Sequence, residues 1–160
     1  MRFMADAMLG RLARYLRLLG HDTAYERDIT DAALLLLALR EGRILLTRDT
    51  GLAARKVLPP GQTFLVLPDD PLAQLKEVAG HFRFGPLPAS GILETARCSV
   101  CNARLERASD RESVRDLVPE HVFLSGKVFW RCTGCGRVYW EGSHVERFLK
   151  EIKRIFMESG

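Results

Sequence analysis

The residues of this chain that can do chemistry fall into two sets. Asp6, Asp31 and Asp49 are lone aspartates, two of them directly after short apolar stretches and one at the head of an apolar helical pattern. Carboxylates offer hard oxygens that suit Mg²⁺ or Mn²⁺ and leave waters to be exchanged for phosphate oxygens. The second set is Cys98-Ser-Val-Cys101 and Cys132-Thr-Gly-Cys135, two CxxC pairs with thirty residues between them. Two such pairs can meet at one tetrahedral zinc whose four thiolates close the shell, so the role is structural. Asn102 and Gly136 follow the pairs, and both residue types tolerate the left-handed backbone that such a knuckle often needs.

A single aspartate after a strand more often caps the next turn, so the acidic set matters only if its members reach one place. Ile44-Leu45-Leu46, behind the helix-stopping Gly42, reads as a core strand that runs through Thr47 and Arg48 into Asp49. Arg2 to Ala5 makes a similar strand before Asp6, and His21 to Tyr25 a further one. Asp22 stands at the start of that strand, the far edge from Asp6. Thr30 is placed to cap a helix from Asp31 to Leu39. A helix between parallel strands begins at their carboxyl edge, which brings Asp31 toward Asp6 and Asp49. Ligands bind at that edge in open α/β sheets.

The pattern continues with a short basic helix over Gly51 to Val57, a strand over Phe64 to Leu67, and a helix from Leu72 to Phe82. Asp70 before Pro71 reads as the cap of that helix, and Asp69 as an accessory acid. Leu9, Leu12, Ala13, Leu16 and Leu19 recur at helical spacing after Asp6, with Arg11, Arg14 and Arg17 beside the stripe. Arg11 and Arg14, nearer the Asp6 end, are the better placed to grip phosphate. Strands alternating with helices imply a parallel sheet with right-handed crossovers.

Pro86, Pro88, Ser90 and Gly91 mark a boundary, giving domains over 1–85 and 92–160. In the second, Val122 to Leu124, Val128 to Arg131 and Val138 to Trp140 read as strands around the cysteines. Ser143 and Glu146 match a capping box, and an amphipathic helix follows, with Arg147, Lys150, Lys153 and Arg154 on its polar face. His144 stands at its start, where a shell completed by four cysteines leaves it to pack or to contact phosphate.

The formal charge of +4 permits a polyanion partner without demanding one. Basic residues outnumber acidic ones by eleven to ten in 1–80 and by thirteen to ten in 81–160, so most of the excess lies in the second half. Charges interrupt the N-terminus too often for a secretory core, and no apolar run is long enough to span a bilayer. A cytoplasmic protein with no membrane partner is expected, and all four cysteines in CxxC pairs then favour metal over disulfide.

Spacing separates the plans that place acids at strand ends. A haloacid-dehalogenase phosphatase needs a second Asp two residues after the first, where this chain has Met8; a phospho-receiver needs an adjacent acidic pair, whereas Asp6 stands between Ala5 and Ala7. Lone acids after the first strand, at the second helix and after the third strand fit a divalent-metal nuclease better.

Arg2-Phe-Met-Ala-Asp6-Ala-Met-Leu-Gly10-Arg-Leu-Ala-Arg14, Gly42-Arg-Ile-Leu-Leu-Thr47-Arg48-Asp49, the CxxC pairs and Tyr139-Trp-Glu-Gly-Ser-His144 together resemble the PIN-like RNase domain with a C-terminal zinc ribbon. That family is named for the C-terminus of the Mut-seven exonuclease. The resemblance implies a three-layer PIN-like α/β fold followed by a small zinc ribbon, and divalent-metal ribonuclease activity with Asp6, Asp31 and Asp49 at the acidic site. On this reading Asp6 and Asp49 hold Mg²⁺ or Mn²⁺, Asp31 completes the site and Thr47 bonds a metal-bound water. Arg11, Arg14, Arg48 and His144 contact single-stranded RNA, and Zn²⁺ braces the ribbon. Two alternatives stay open: a catalytically degenerate RNA-binding or protein-interaction module, and a toxin-like nuclease held by an inhibitory protein.

Overall fold

The structure, a computed structural model, describes residues 1–85 and 91–157; the expected break at Pro86, Pro88 and Ser90 lies outside the described residues. The chain forms two compact units. One is Met1–Arg17 with His21–Gly85, and the other is Leu18–Gly20 with the described residues of Pro86–Gly160.

In the first unit β1 (Arg2–Ala5), β2 (Asp22–Tyr25), β3 (Ile44–Thr47) and β4 (Thr63–Leu65) make a parallel sheet in the order β2-β1-β3-β4. A 3-10 turn over Ala7–Leu9 leads into α1 (Gly10–Leu18), α2 (Asp31–Glu41) precedes β3, α3 (Thr50–Ala53) follows it, and α4 (Pro71–Phe82) follows β4. The chain moves from β1 to β2 on one side and returns past β1 to β3 on the other, so right-handed crossovers set α1 and α2 on opposite faces. The boundary between β1 and β3 is therefore the switch point, where a crevice opens at the carboxyl ends of the strands.

Strand alternation sorts the core. Met4 and Leu45, paired in register, share one face with Leu34, Leu35 and Ala38 of α2 and Leu52 of α3. Phe3 and Phe64 face the other way onto Phe82 of α4, with ring centroids 5.3 and 5.5 Å apart. Phe3, Leu45 and Leu46 are fully buried, each burial stabilising the unit by roughly 1.5–3 kcal/mol. The expected punctuation is present: Thr30 accepts from the Ala33 amide, Gly42 ends α2 at φ 61°, and Asp70 caps α4 ahead of Pro71. The helix expected over Gly51 to Val57 stops at Ala53, where the Ala54 amide closes on the Thr50 carbonyl and the Arg55 amide tightens onto the Leu52 carbonyl.

At the amino edge of the sheet, opposite the switch-point crevice, Arg43 is buried. Its Nη1 meets Asp22 Oδ1 at 2.7 Å and its Nε meets Glu41 Oε2 at 2.6 Å, while Nη1 also donates to the Phe3 and Asp22 carbonyls. Arg17 also points inward and donates to the Thr23 carbonyl, so it leaves the phosphate-gripping set.

In the second unit β5 (Leu105–Arg107), β6 (Phe129–Cys132) and β7 (Val138–Trp140) form an antiparallel sheet in that order, with α5 (Ile92–Thr95), α6 (Glu120–Leu124) and α7 (Ser143–Met157) around it. The run Val122 to Leu124, expected as a strand, lies in α6, which starts after Pro119. Its Phe123 enters a core with Val114 and Phe129, and Leu105–Arg107 takes the third place in the sheet instead. On α7, Phe148 and Ile152 are buried while Arg147, Lys150, Lys153 and Arg154 are exposed, as its period predicts. The expected capping box does not form: the Glu146 amide bonds to the Gly142 carbonyl, so Gly142 holds the capping position and Ser143 is already the first helical residue.

Candidate active site and metal centre

Asp6 lies at the β1/β3 switch point and is only 5% exposed. Its Oδ1 accepts the Met8 amide at 2.8 Å and caps the 3-10 turn; its Oδ2 accepts the Thr47 hydroxyl at 2.5 Å and the Arg48 amide at 2.9 Å. The Asp6 amide itself donates to the Leu46 carbonyl, so carboxylate and backbone both tie β1 to β3. Thr47 Oγ1 also accepts the Asp49 amide at 3.0 Å. One buried hydroxyl thus couples the side chain of Asp6 to the backbone of Asp49. Its proton goes to Asp6 and one of its two acceptor lone pairs takes the Asp49 amide, so Thr47 ties the two acids together.

Asp49 is exposed and its Oδ1 caps α3 through the Leu52 amide at 2.8 Å. Asp31, also exposed, pairs through Oδ2 with Arg55 at 3.2 Å. All three acids stand at the carboxyl edge, as their positions after β1, at the head of α2 and after β3 require. They do not converge: among the described residues, the four cysteines are the only group of three or more such ligands close enough to share one ion. The acids nonetheless suit a hard divalent ion in their chemistry. Among the described residues, Asp31 and Asp49 each keep one oxygen without a hydrogen-bond partner, so each has an oxygen left to offer an ion.

Beside Asp6 opens a cleft of about 590 Å³ whose lining includes Ala7, Met8, Arg11, Arg14, Arg48 and Asp69. Three of the four basic residues expected at the substrate thus share one surface. Arg27 and Tyr25, which the sequence reading passed over, line it too; the signal available was their position at and just after the carboxyl end of β2. Tyr25 is held by a 3.2 Å bond from its hydroxyl to the Ala7 carbonyl. A Cβ at position 10 would come within 2.8 Å of that hydroxyl, which explains the glycine that opens α1. His144 belongs to the second unit, exposed, on a separate cleft of about 480 Å³ shared with His121, Arg137, Tyr139 and Trp140.

The four cysteine sulfurs lie within 4.8 Å of one another. Cys98 Sγ is 3.6 Å from Cys135 Sγ, and Cys101 Sγ is 3.3 Å from Cys132 Sγ, slightly inside the S···S edge of about 3.8 Å that zinc–sulfur bonds near 2.3 Å imply. Each pair forms a knuckle: the Cys101 amide points to Cys98 Sγ, and the Gly134 and Cys135 amides point to Cys132 Sγ, all at 3.4 Å. Asn102 and Gly136 take φ values of 68° and 74°, the left-handed turns expected of them. Gly134 is required by space, since a Cβ there would lie 2.9 Å from Ala103 Cβ. Burial opposes ionisation of Cys98, but hydrogen bonds from Tyr139 and nearby amides outweigh it and hold the thiol below its ordinary value. The cluster is consistent with a structural zinc site.

No helix among the described residues is long and apolar enough to cross a membrane. No curated protein and no solved structure matches the chain. The family model described as the Mut7-C RNAse domain matches residues 1–152, nearly the whole length, and spans the parallel sheet, the switch-point aspartate and the four-cysteine cluster together: the chain belongs to the Mut7-C RNAse domain family.

Proposed function

We propose that this protein is a metal-dependent ribonuclease that hydrolyses phosphodiester bonds of single-stranded RNA. The observation that carries the reading is the pairing of a buried aspartate at the switch point with an arginine-lined cleft beside it. Asp6, Asp49 and Asp31 would hold Mg²⁺ or Mn²⁺, which when bound polarises the phosphodiester and lowers the pKa of an attacking water. Asp6 is the anchor because its bonds leave it no freedom to swing, while Asp49 and Asp31 close toward it from exposed positions. Thr47 keeps Asp6 and the Asp49 backbone in register. Arg11, Arg14 and Arg48 offset phosphate charge and orient the strand. On this proposal residues 1–85 are the nuclease domain, and residues 92–160 form a zinc ribbon whose His144 adds an RNA contact.

One observation favours a second reading, an RNA-binding module whose acids are structural: each aspartate has a protein partner. A divalent titration separates the two. An ion that binds only the native state raises the melting temperature by mass action, so the nuclease reading expects Mn²⁺ or Mg²⁺ to stabilise the wild type and to do so much less in Asp49→Asn. Equal responses in both proteins, with RNA bound but intact, select the module.

A further inference from the structure

We propose that the Arg48 guanidinium is a seat for an RNA phosphate that the Asp69 carboxylate occupies in the absence of RNA, with Arg27 a further phosphate ligand of the same cleft. The inference rests on the ribonuclease reading of that cleft, but it gives Asp69 the role of a resident competitor in place of an accessory metal ligand.

Asp69 follows β4 and pairs with Nη2 of Arg48, its side chain 92% exposed against 25% for the arginine. It engages that single donor. Arg48 Nε, the other donor on the same edge of the guanidinium, is buried and meets no acceptor among the described residues. Carboxylates and phosphates bind arginine best by two parallel bonds to one edge, so Asp69 holds the seat by half its capacity. A nearly fully exposed partner contributes little to such a pair and regains its hydration on leaving. The backbone of the arginine is fixed, since its amide donates to Asp6 Oδ2 at 2.9 Å, while its side chain reaches into the cleft that Asp69 lines.

The rest of the cleft supports an incoming anion. Arg11, Arg14 and Arg27 are exposed and have no hydrogen bond or ion pair among the described residues, whereas Arg2, Arg40, Arg43 and Arg55 are all paired. Asp69 is the one acid among the residues that line the cleft. Tyr25, fixed by its bond to the Ala7 carbonyl, sets an aromatic ring beside the arginines, the combination that single-stranded nucleic acids use for stacking and backbone contact.

The test is fluorescence anisotropy of a labelled single-stranded oligoribonucleotide without added divalent ion. Asp69→Asn should bind about two- to fivefold tighter than wild type, the range that a surface ion pair is worth. Asp70→Asn removes the same charge one residue away, with asparagine an equally good helix cap, and should not reproduce that gain. Arg48→Gln and Arg27→Gln should weaken binding, and Asp69→Asn added to Arg48→Gln should gain nothing. In the cleavage assay Asp69→Asn should lower KM and keep kcat. Unchanged or weaker binding in Asp69→Asn, a gain that survives loss of Arg48, or a collapse of kcat would each overturn the proposal, as would capture of an acidic phosphopeptide with no capture of RNA. If the wild type binds RNA but never cuts it, the ribonuclease reading fails while the binding arms still decide the seat.

Discussion

Asp6→Asn should lower the stability of the first unit even without metal. Mutual repulsion of carboxylates gathered on one sheet edge would give the opposite sign, but among the described residues the three acids do not gather at one point, and Asp6 accepts three hydrogen bonds at a site 5% exposed. Asparagine supplies one oxygen where the carboxylate supplies two. If that oxygen serves Thr47 and Arg48, the new NH₂ group faces the Met8 amide and the cap is lost; if it serves Met8, the Arg48 amide faces a donor. Losing the cap costs about 1 kcal/mol, and exchanging charge-assisted for neutral bonds at Thr47 and Arg48 costs about 1 kcal/mol more. The sum of about 2 kcal/mol corresponds to a melting-temperature fall of roughly 8–16 °C for a unit of this size. Asp49→Asn, exposed and replaced by an equally good cap, should stay within about 0.5 kcal/mol of wild type. Thermal melts followed by circular dichroism at neutral pH without divalent ion measure both. An Asp6→Asn protein that melts at or above the wild type refutes the hydrogen-bond account.

Three further outcomes follow from other parts of the molecule. Asp22→Asn should be destabilising by about 1–2 kcal/mol, because it weakens the partner set of a buried guanidinium; a denaturant midpoint equal to wild type would contradict the Arg43 triad. Burial against the Phe3 and Phe84 rings, with added repulsion from the N-terminal ammonium, lowers His21 from 6.5 to about 4. The unfolded chain therefore takes up a proton that the folded imidazole refuses, and stability should decline as pH falls from 6.5 toward 4. His21→Phe should flatten that part of the pH–melting curve, and an unchanged slope would reject the assignment. One zinc per chain should survive preparation in metal-free buffer, and Cys98→Ser should open the second unit to protease, since metal-binding energy there is also folding energy; well-folded protein with near-zero zinc on elemental analysis would remove the metal centre.

The parts of the fold that could be read from the sequence were those where one local rule decides. Alternating strand and helix patterns, the caps at Thr30 and Asp70, the stop at Gly42 and the paired CxxC motifs with Asn102 and Gly136 each act through the residue itself or its near neighbours. Val122 to Leu124 was misread because a short apolar run suits a buried strand or a buried helix alike, and only the tertiary position of Phe123 against Phe129 settles it. Arg43 gave no local sign of burial; its partners Asp22 and Phe3 come from other strands. The edge that carries Asp6, Asp31 and Asp49 followed from topology, but what each carboxylate bonds did not. Thr47, Arg48 and Arg55 reach those carboxylates across chain crossings, whereas the Met8 and Leu52 amides are local caps of the kind an aspartate after a strand commonly makes. Arg27 and Tyr25 were missed for the same reason, since a cleft wall is assembled from residues with no shared sequence spacing.

The central claim is most directly tested by single-turnover cleavage of end-labelled single-stranded RNA, comparing wild type with Asp49→Asn, whose fold should be intact, at a temperature where both are fully native. The account predicts cutting by the wild type that requires Mg²⁺ or Mn²⁺ and falls by at least about tenfold, the least expected from losing one metal-holding carboxylate, in Asp49→Asn while RNA affinity is kept. RNA bound tightly by both proteins and cut by neither, at any Mg²⁺ or Mn²⁺ concentration, would contradict it.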